Sequence, residues 1–207
     1  MFLPNRKSIG SAVAALLCAL AVSIGSLCAY AQTCDDVRSE VLRLHVRANS
    51  DSDADQNIKL LVRDRILETG ALVFGDAKNA EEAAAAVRAA ADRLTCIANE
   101  VLAAQNAGYG ARVSVKKEYF DTRVYEDITL PAGVYLAVCI DLGEAAGRNW
   151  WCVMFPPLCL PAVTKTDAAD TILLENGHET VVQAKDGYVI RFKIVELFEE
   201  WKQKYFS

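Results

Sequence analysis

The first 31 residues set where a folded domain can begin. Met1 to Ser8 is short and carries Arg6 and Lys7, Ile9 to Ala29 holds no charge, and Ala29-Tyr30-Ala31 precedes Gln32. A basic start, an apolar run and an A-x-A motif make the signature of a secretory signal peptide, with cleavage between Ala31 and Gln32. The same run is long enough to cross a ~30 Å hydrocarbon core, so an uncleaved anchor is the alternative. Its many Ala, Gly and Ser residues favour cleavage. The chain therefore divides into an export segment, 1–31, and one domain, 32–207. None of Cys18, Cys28 and Cys34 sits in a lipoprotein context.

The remainder has the material for one core. Of 207 residues, 53% are apolar and 24% charged, values of a globular domain and not of a disordered chain. The formal charge is −5, and loss of Arg6 and Lys7 takes it to −7. With no basic stripe, nucleic acid is not an expected partner. Cleavage would leave Cys34, Cys96, Cys139, Cys152 and Cys159, an odd set with at least one free thiol. Cys152 and Cys159 flank Pro156-Pro157, a turn that can bring two Cα atoms to the ~5.5 Å of a disulfide. Two small buried apolar residues would fit the same pattern.

Val41 to Ala48 alternates partially and reads as a strand. Asp53 with Gln56 resembles a capping box, Ile58, Leu61, Val62 and Ile66 recur at helical spacing, and Gly70 stops the run. Asn79 with Glu82 opens a second helix with Val87, Leu94 and Val101 seven apart, predicted to reach Asn106, about 40 Å, with Gly108 just past its end. Beyond Gly110 the pattern is β: Val113 to Phe120, Arg123 to Ile128, Val134 to Ile140 and Asn149 to Phe155. Val134 to Ile140 is apolar on both faces, which places it centrally. Ala162 to Gly177 reads as a surface excursion, Thr180 to Ala184 as an edge strand and Asp186-Gly187 as a turn. Phe192, Val195, Phe198 and Trp201 line an amphipathic C-terminal helix. The expected fold is α+β, an antiparallel sheet packed on one face by two N-terminal helices, with the amphipathic helix last.

Catalytic patterns are sparse. His45 lies in a predicted strand and His178 in a Gly-rich loop, and no zinc-binding spacing occurs, so no metal or cofactor is expected. Asp51, Asp53 and Asp55 suggest a calcium loop, but an EF-hand needs Gly and Glu where Gln56 and Val62 stand. Helix capping accounts for these carboxylates. There is no nucleophile elbow and no P-loop. A secreted hydrolase or thiol enzyme remains as a rival reading, with Cys152 as nucleophile and His178 as base. The apolar setting Trp-Trp-Cys-Val-Met-Phe argues against it, because such surroundings raise a thiol pKa. Trp150 and Trp151 must point to opposite faces of their strand, so one can pack the core while the other meets a partner.

Three runs carry a resemblance: Val46-Arg47-Ala48-Asn49-Ser50-Asp51-Ser52 with Asp55-Gln56 and Lys59 to Asp64; Phe120 to Tyr125 with Leu130 to Tyr135; and Asn149-Trp150-Trp151-Cys152-Val153 with Phe155-Pro156-Pro157-Leu158-Cys159. In this order, over about Val41 to Leu160, the chain resembles the stage II sporulation protein R family. Asp121 stands where the family usually has proline, and the loop around Ala145 is less Gly-rich than usual.

The resemblance implies a non-catalytic signal of sporulation, secreted from the forespore into the space between forespore and mother cell. There it would activate a membrane-embedded aspartic protease of the mother cell, the sigma-E processing peptidase, which cleaves pro-sigma-E. The expected partner-binding surface joins Arg47, Asn49, Asp51, Gln56, Arg63 and Asp64 to Asn149 and to Trp150 or Trp151. Capping and helix ion pairs are the competing role for the charged members. Membrane contact by the C-terminal helix is a further expectation.

Overall fold

The computed structural model describes residues 6–73, 76–125, 128–156 and 190–206. In chain order its elements are α1 (Arg6–Glu40), β1 (Leu42–Arg47), α2 (Asp53–Val73), α3 (Ala80–Ala89), α4 (Ala91–Ala104), β2 (Ala111–Phe120), β3 (Arg123–Tyr125), β4 (Ile128–Leu130), β5 (Gly133–Leu142), β6 (Asn149–Phe155) and α5 (Ile190–Phe206). The main sheet has the order β2-β5-β1-β6, and β3 pairs with β4 separately. The class is α+β.

Period-two alternation sorts the side chains into two cores. Leu42, Leu44 and Val46 of β1 pack with Val138 and Ile140 of β5 against Ile58, Val62 and Ile66 of α2 and Val87, Leu94 and Leu102 of α3 and α4. On the opposite face, Ala137 and Cys139 of β5 join Phe120, Tyr135 and Val153, together with Tyr30, Cys34 and Val37 of α1 and Val195 of α5. Helices therefore cover both faces, where one was expected. β5 is apolar on both sides because it lies between β2 and β1.

β2–β5 and β1–β6 are antiparallel, as expected, while β1–β5 is parallel, with His45 opposite Cys139. The parallel pair follows from the connection: α2, α3 and α4 intervene between β1 and the later strands, giving the long crossover that parallel pairing needs.

Several helix boundaries differ from expectation. Ser52, not Asp53, caps α2, since its hydroxyl accepts from the Asp55 N–H at 3.2 Å. α2 continues through Gly70 to Val73. Burial of Ile66 and Leu67 carries it past a residue of poor propensity. Its inward residues are Ile58, Val62 and Ile66, four apart, while Leu61 is exposed. The single 40 Å helix is instead two helices. Asn79 caps α3, accepting from the Glu82 N–H at 2.8 Å. At Ala90 the backbone leaves helical values, with φ −97 and ψ 7. A straight helix drifts ~20° per heptad, carrying a seven-residue stripe around the cylinder. The break re-phases the buried face to Leu94, Ala98 and Leu102 and leaves Val101 at its edge.

Asn106, at φ 55, ends α4 in a Schellman motif, with Ala107 N–H bonding to the Leu102 carbonyl at 2.9 Å and Asn106 N–H to that of Ala103 at 3.0 Å. Gly108 is not the stop. The strand expected over Arg123 to Ile128 resolves into β3 and β4. The excursion at 162–177, the strand at 180–184 and the turn at 186–187 lie outside the described residues.

Candidate functional site

The first and third resemblance runs meet in space, although about 100 residues separate them. The loop after β1 docks on the loop between β5 and β6. Gly147 N–H bonds to the Ala48 carbonyl at 2.9 Å, Glu144 N–H to Asn49 Oδ1 at 3.0 Å, and Arg148 N–H to Asp51 Oδ1 at 2.6 Å. A Cβ at Gly147 would collide with the Ser50 carbonyl, and Gly143 has φ +56 with Asn49 in the space of its missing side chain. Both glycines are needed for this approach.

Asp55 is the internal tie. Its carboxylate accepts from Asn49 at 2.9 Å, from Ser50 at 2.5 Å and from the Tyr109 hydroxyl at 2.5 Å. Hydrogen bonds from Ser50, Tyr109 and Asn49 hold its pKa at about 2, against burial, which acts in the opposite sense. Gln56 donates to the Ser50 carbonyl at 2.9 Å, and Lys59 donates to Gln56 at 2.6 Å and to the Arg148 carbonyl at 3.0 Å. Burial, reinforced by Arg148, lowers the Lys59 pKa. One turn further along α2, Arg63 lies 4.2 Å over the Trp150 ring and bonds to Asp64 at 2.7 Å. Trp150 is 36% exposed, and Asp51, Asp64, Arg148 and Asn149 beside it are exposed as well.

Arg47 and Trp151 belong elsewhere. Both lie on the other face of the sheet, where Arg47 bonds to Asp141 at 2.5 Å and Trp151 stacks on His45 at 3.6 Å between centroids. The nine expected contact residues thus fall into two groups. Asn49, Asp51, Gln56, Arg63, Asp64 and Trp150 form one corner, while Arg47, Asn149 opposite it in the ladder and Trp151 share the other face and are parted from the corner by the sheet.

Two constellations on that second face escaped the sequence reading. Arg43 is fully buried. It lies 4.2 Å over Phe120 and 4.9 Å over Tyr135, and it donates to the Tyr125 hydroxyl at 2.7 Å and the Cys152 carbonyl at 3.3 Å. Its Nη1 has no hydrogen-bond partner among the described residues. Beside it, Glu118 Oε2 lies 3.0 Å from His45 Nδ1 and 2.7 Å from Cys139 Sγ. The carboxylate makes Nδ1 the donor.

The ligand atoms of His45, Glu118 and Cys139 lie within 4.8 Å of one another, close enough to hold a metal ion. No spacing motif could have exposed this group, because its members come from β1, β2 and β5. As it stands the group is charge-compensated: Glu118 accepts from both neighbours, and Arg47 lies 3.8 Å away. Burial and then the Glu118 hydrogen bond push the Cys139 thiol well above the usual range. Burial also acts on Glu118, but the bonds from Cys139 and His45 outweigh it and lower its pKa. A neutral thiol is a poor nucleophile.

Cys152 is buried and disulfide-bonded, so it presents no thiolate. Its expected partner, Cys159, and the proposed base, His178, lie outside the described residues. Ala31 and Gln32 fall within the unbroken helix α1.

The fold and this corner define an α+β domain carried on an N-terminal apolar helix, with a surface of paired charges around an exposed tryptophan. A family model for stage II sporulation protein R matches residues 38–165, and the chain belongs to that family of sporulation proteins. Stage II sporulation protein R of Bacillus subtilis (strain 168) is 37% identical over 123 residues, covering 59% of this chain and 55% of the relative. The chain thus spans about half the length of the curated relative it matches. No solved structure matches the chain.

Proposed function

We propose that this protein is a secreted intercellular signal of sporulation. It binds a membrane-embedded aspartic protease and shifts that protease toward the state that processes pro-sigma-E. The forespore exports it through the α1 segment, and it acts in the space between forespore and mother cell. It does no chemistry itself. The supporting observation is the convergence of family-matching residues at one corner: Asp51, Arg63, Asp64 and Trp150 are not consumed by the core. An exposed aromatic beside arginine is the composition of a binding hot spot.

The test is co-expression of this chain with the sigma precursor and the protease in a non-sporulating cell, following precursor cleavage by immunoblot. Cleavage should require the chain and should survive replacement of Cys152 and His178. Trp150→Ala, or Arg63→Glu with Asp64→Arg, should weaken activation by at least ~10-fold, the effect of losing about 1.4 kcal/mol of binding. Full activity from both variants, folded and exported, would remove this corner from the receptor surface. Absence of cleavage with the unaltered, folded chain would defeat the activator reading.

A further inference from the structure

The exposed apolar surface of α5 has a defined place relative to α1. Ile194, Leu197, Phe198, Trp201 and Tyr205 follow helical spacing along one face and are 43–62% exposed. Phe198 and Trp201 have ring centroids 6.2 Å apart, and Trp201 and Tyr205 5.8 Å. Another face meets the domain: Val195 is buried in the core shared with Tyr30, Cys34 and Val37, and Glu199 pairs with Arg38 at 3.6 Å. At 100° per residue the apolar stripe is centred about 120° around α5 from Val195 and Glu199, so it flanks the docked face and remains exposed.

α1 supplies the membrane. Val13–Glu40 contains a window of mean hydropathy 2.2, of which 6% is buried. Val13, Leu16, Leu17, Leu20, Val22 and Ile24 are exposed on it. From Tyr30 onward the same unbroken helix becomes part of the domain. Arg38 donates to the Ala132 carbonyl at 3.0 Å, an approach that Gly133 permits at φ +148. The uncharged run extends to Cys34, so α5 meets α1 at the end of that run, through Val195 against Tyr30 and Cys34 and through Glu199 against Arg38 about one turn, or ~6 Å, beyond it. A tryptophan and a tyrosine beside aliphatic residues suit the bilayer interface, where one end of each ring is apolar and the other wet. Lys204, exposed on the same helix, is placed to meet headgroup phosphates.

We infer that α1 stays attached and that α5 lies in the interface of the membrane α1 spans, its Ile194–Tyr205 stripe in contact with lipid. The domain then has two points of membrane attachment and one fixed orientation. This takes the uncleaved form of α1, so the signal proposed above acts while tethered to the membrane it is exported across and not as a released chain; the burial of Tyr30 supports the tether, because cleavage after Ala31 would strip a residue from the core. It does not depend on what the protein activates.

The test uses the full chain reconstituted into phosphatidylcholine vesicles with and without lipid brominated near the headgroup end of its acyl chains. Flotation is scored first, then quenching of tryptophan emission. Trp201 is one of three tryptophans, with Trp150 and Trp151 as internal references. The expected result is a chain that floats and whose emission is quenched, with most of that quenching lost in Trp201→Phe. Leu197→Asp should still float, through α1, yet lose the Trp201 quenching while its circular dichroism is unchanged. A chain that does not float overturns the inference at its anchor. A floating chain quenched equally with and without Trp201 overturns it at α5, and crosslinking of α5 to a second copy or to an added protein would then identify what covers the stripe.

Discussion

Arg43 carries its charge into a place where no carboxylate meets it among the described residues. Faces of Phe120 and Tyr135, with hydrogen bonds from two of its nitrogens, take that role. Each cation–π contact in a desolvated site is worth up to ~2 kcal/mol, but desolvating a guanidinium costs several. The balance gives opposite results for two substitutions. Arg43→Lys keeps a charge and loses planar stacking and the fork of donors, so it should cost about 2 kcal/mol or more. Arg43→Met keeps most of the volume without the charge and should lie within ~1 kcal/mol of the parent. Urea denaturation of both would check this, and a lysine variant as stable as the parent would contradict it. Nothing in the local pattern separates Arg43 from Arg47. Which arginine is enclosed depends on Phe120, Tyr125 and Tyr135, too far along the chain for strand periodicity to register.

At the scale of elements, the two docked loops behave as one object, tied by Asp55. Its carboxyl is held at about 2 in the folded chain against 3.8 unfolded, so folding favours the ionised form. The resulting stabilisation, roughly 2 kcal/mol, is present in full above pH 4 and is lost as the pH falls toward 2. Urea midpoints at pH 5 and pH 2.5 should show that loss in the parent, and Asp55→Asn should lack this component. An identical pH dependence in the variant would count against the assignment.

Much at this scale was legible beforehand. Alternation located β1 and β5, an apolar run located β6, and the Asn79–Glu82 pair located the start of α3, because those signals are local and tertiary packing reinforces them. The break at Ala90 and the passage of α2 through Gly70 were not legible, since packing against the sheet overrode propensity. The corner built from Asn49, Asp51, Gln56, Arg63, Asp64 and Trp150 was legible as part of a list. Its division from Arg47, Asn149 and Trp151 needed the register of β1 against β6.

Across the whole molecule, α1 is both an apolar N-terminal helix and a core element. Tyr30 is 7% exposed in the core that also holds Val195 of α5. In the full chain held in detergent micelles, Tyr30→Ala should destabilise the domain by about 3 kcal/mol, the usual cost of deleting a buried aromatic ring. Thermal unfolding monitored by near-ultraviolet dichroism would read it, and an unchanged transition would mean that the tyrosine is not part of the core. The strand order has a separate result for the timing of assembly. β1 is complete at Arg47, but its two neighbours begin only at Gly133 and Asn149. A chain emerging N-terminus first, from a ribosome or a translocation channel, holds its central strand idle until nearly the whole sheet has followed. Such late closure keeps the polypeptide threadable during transit and postpones the fold to the moment the last strand arrives.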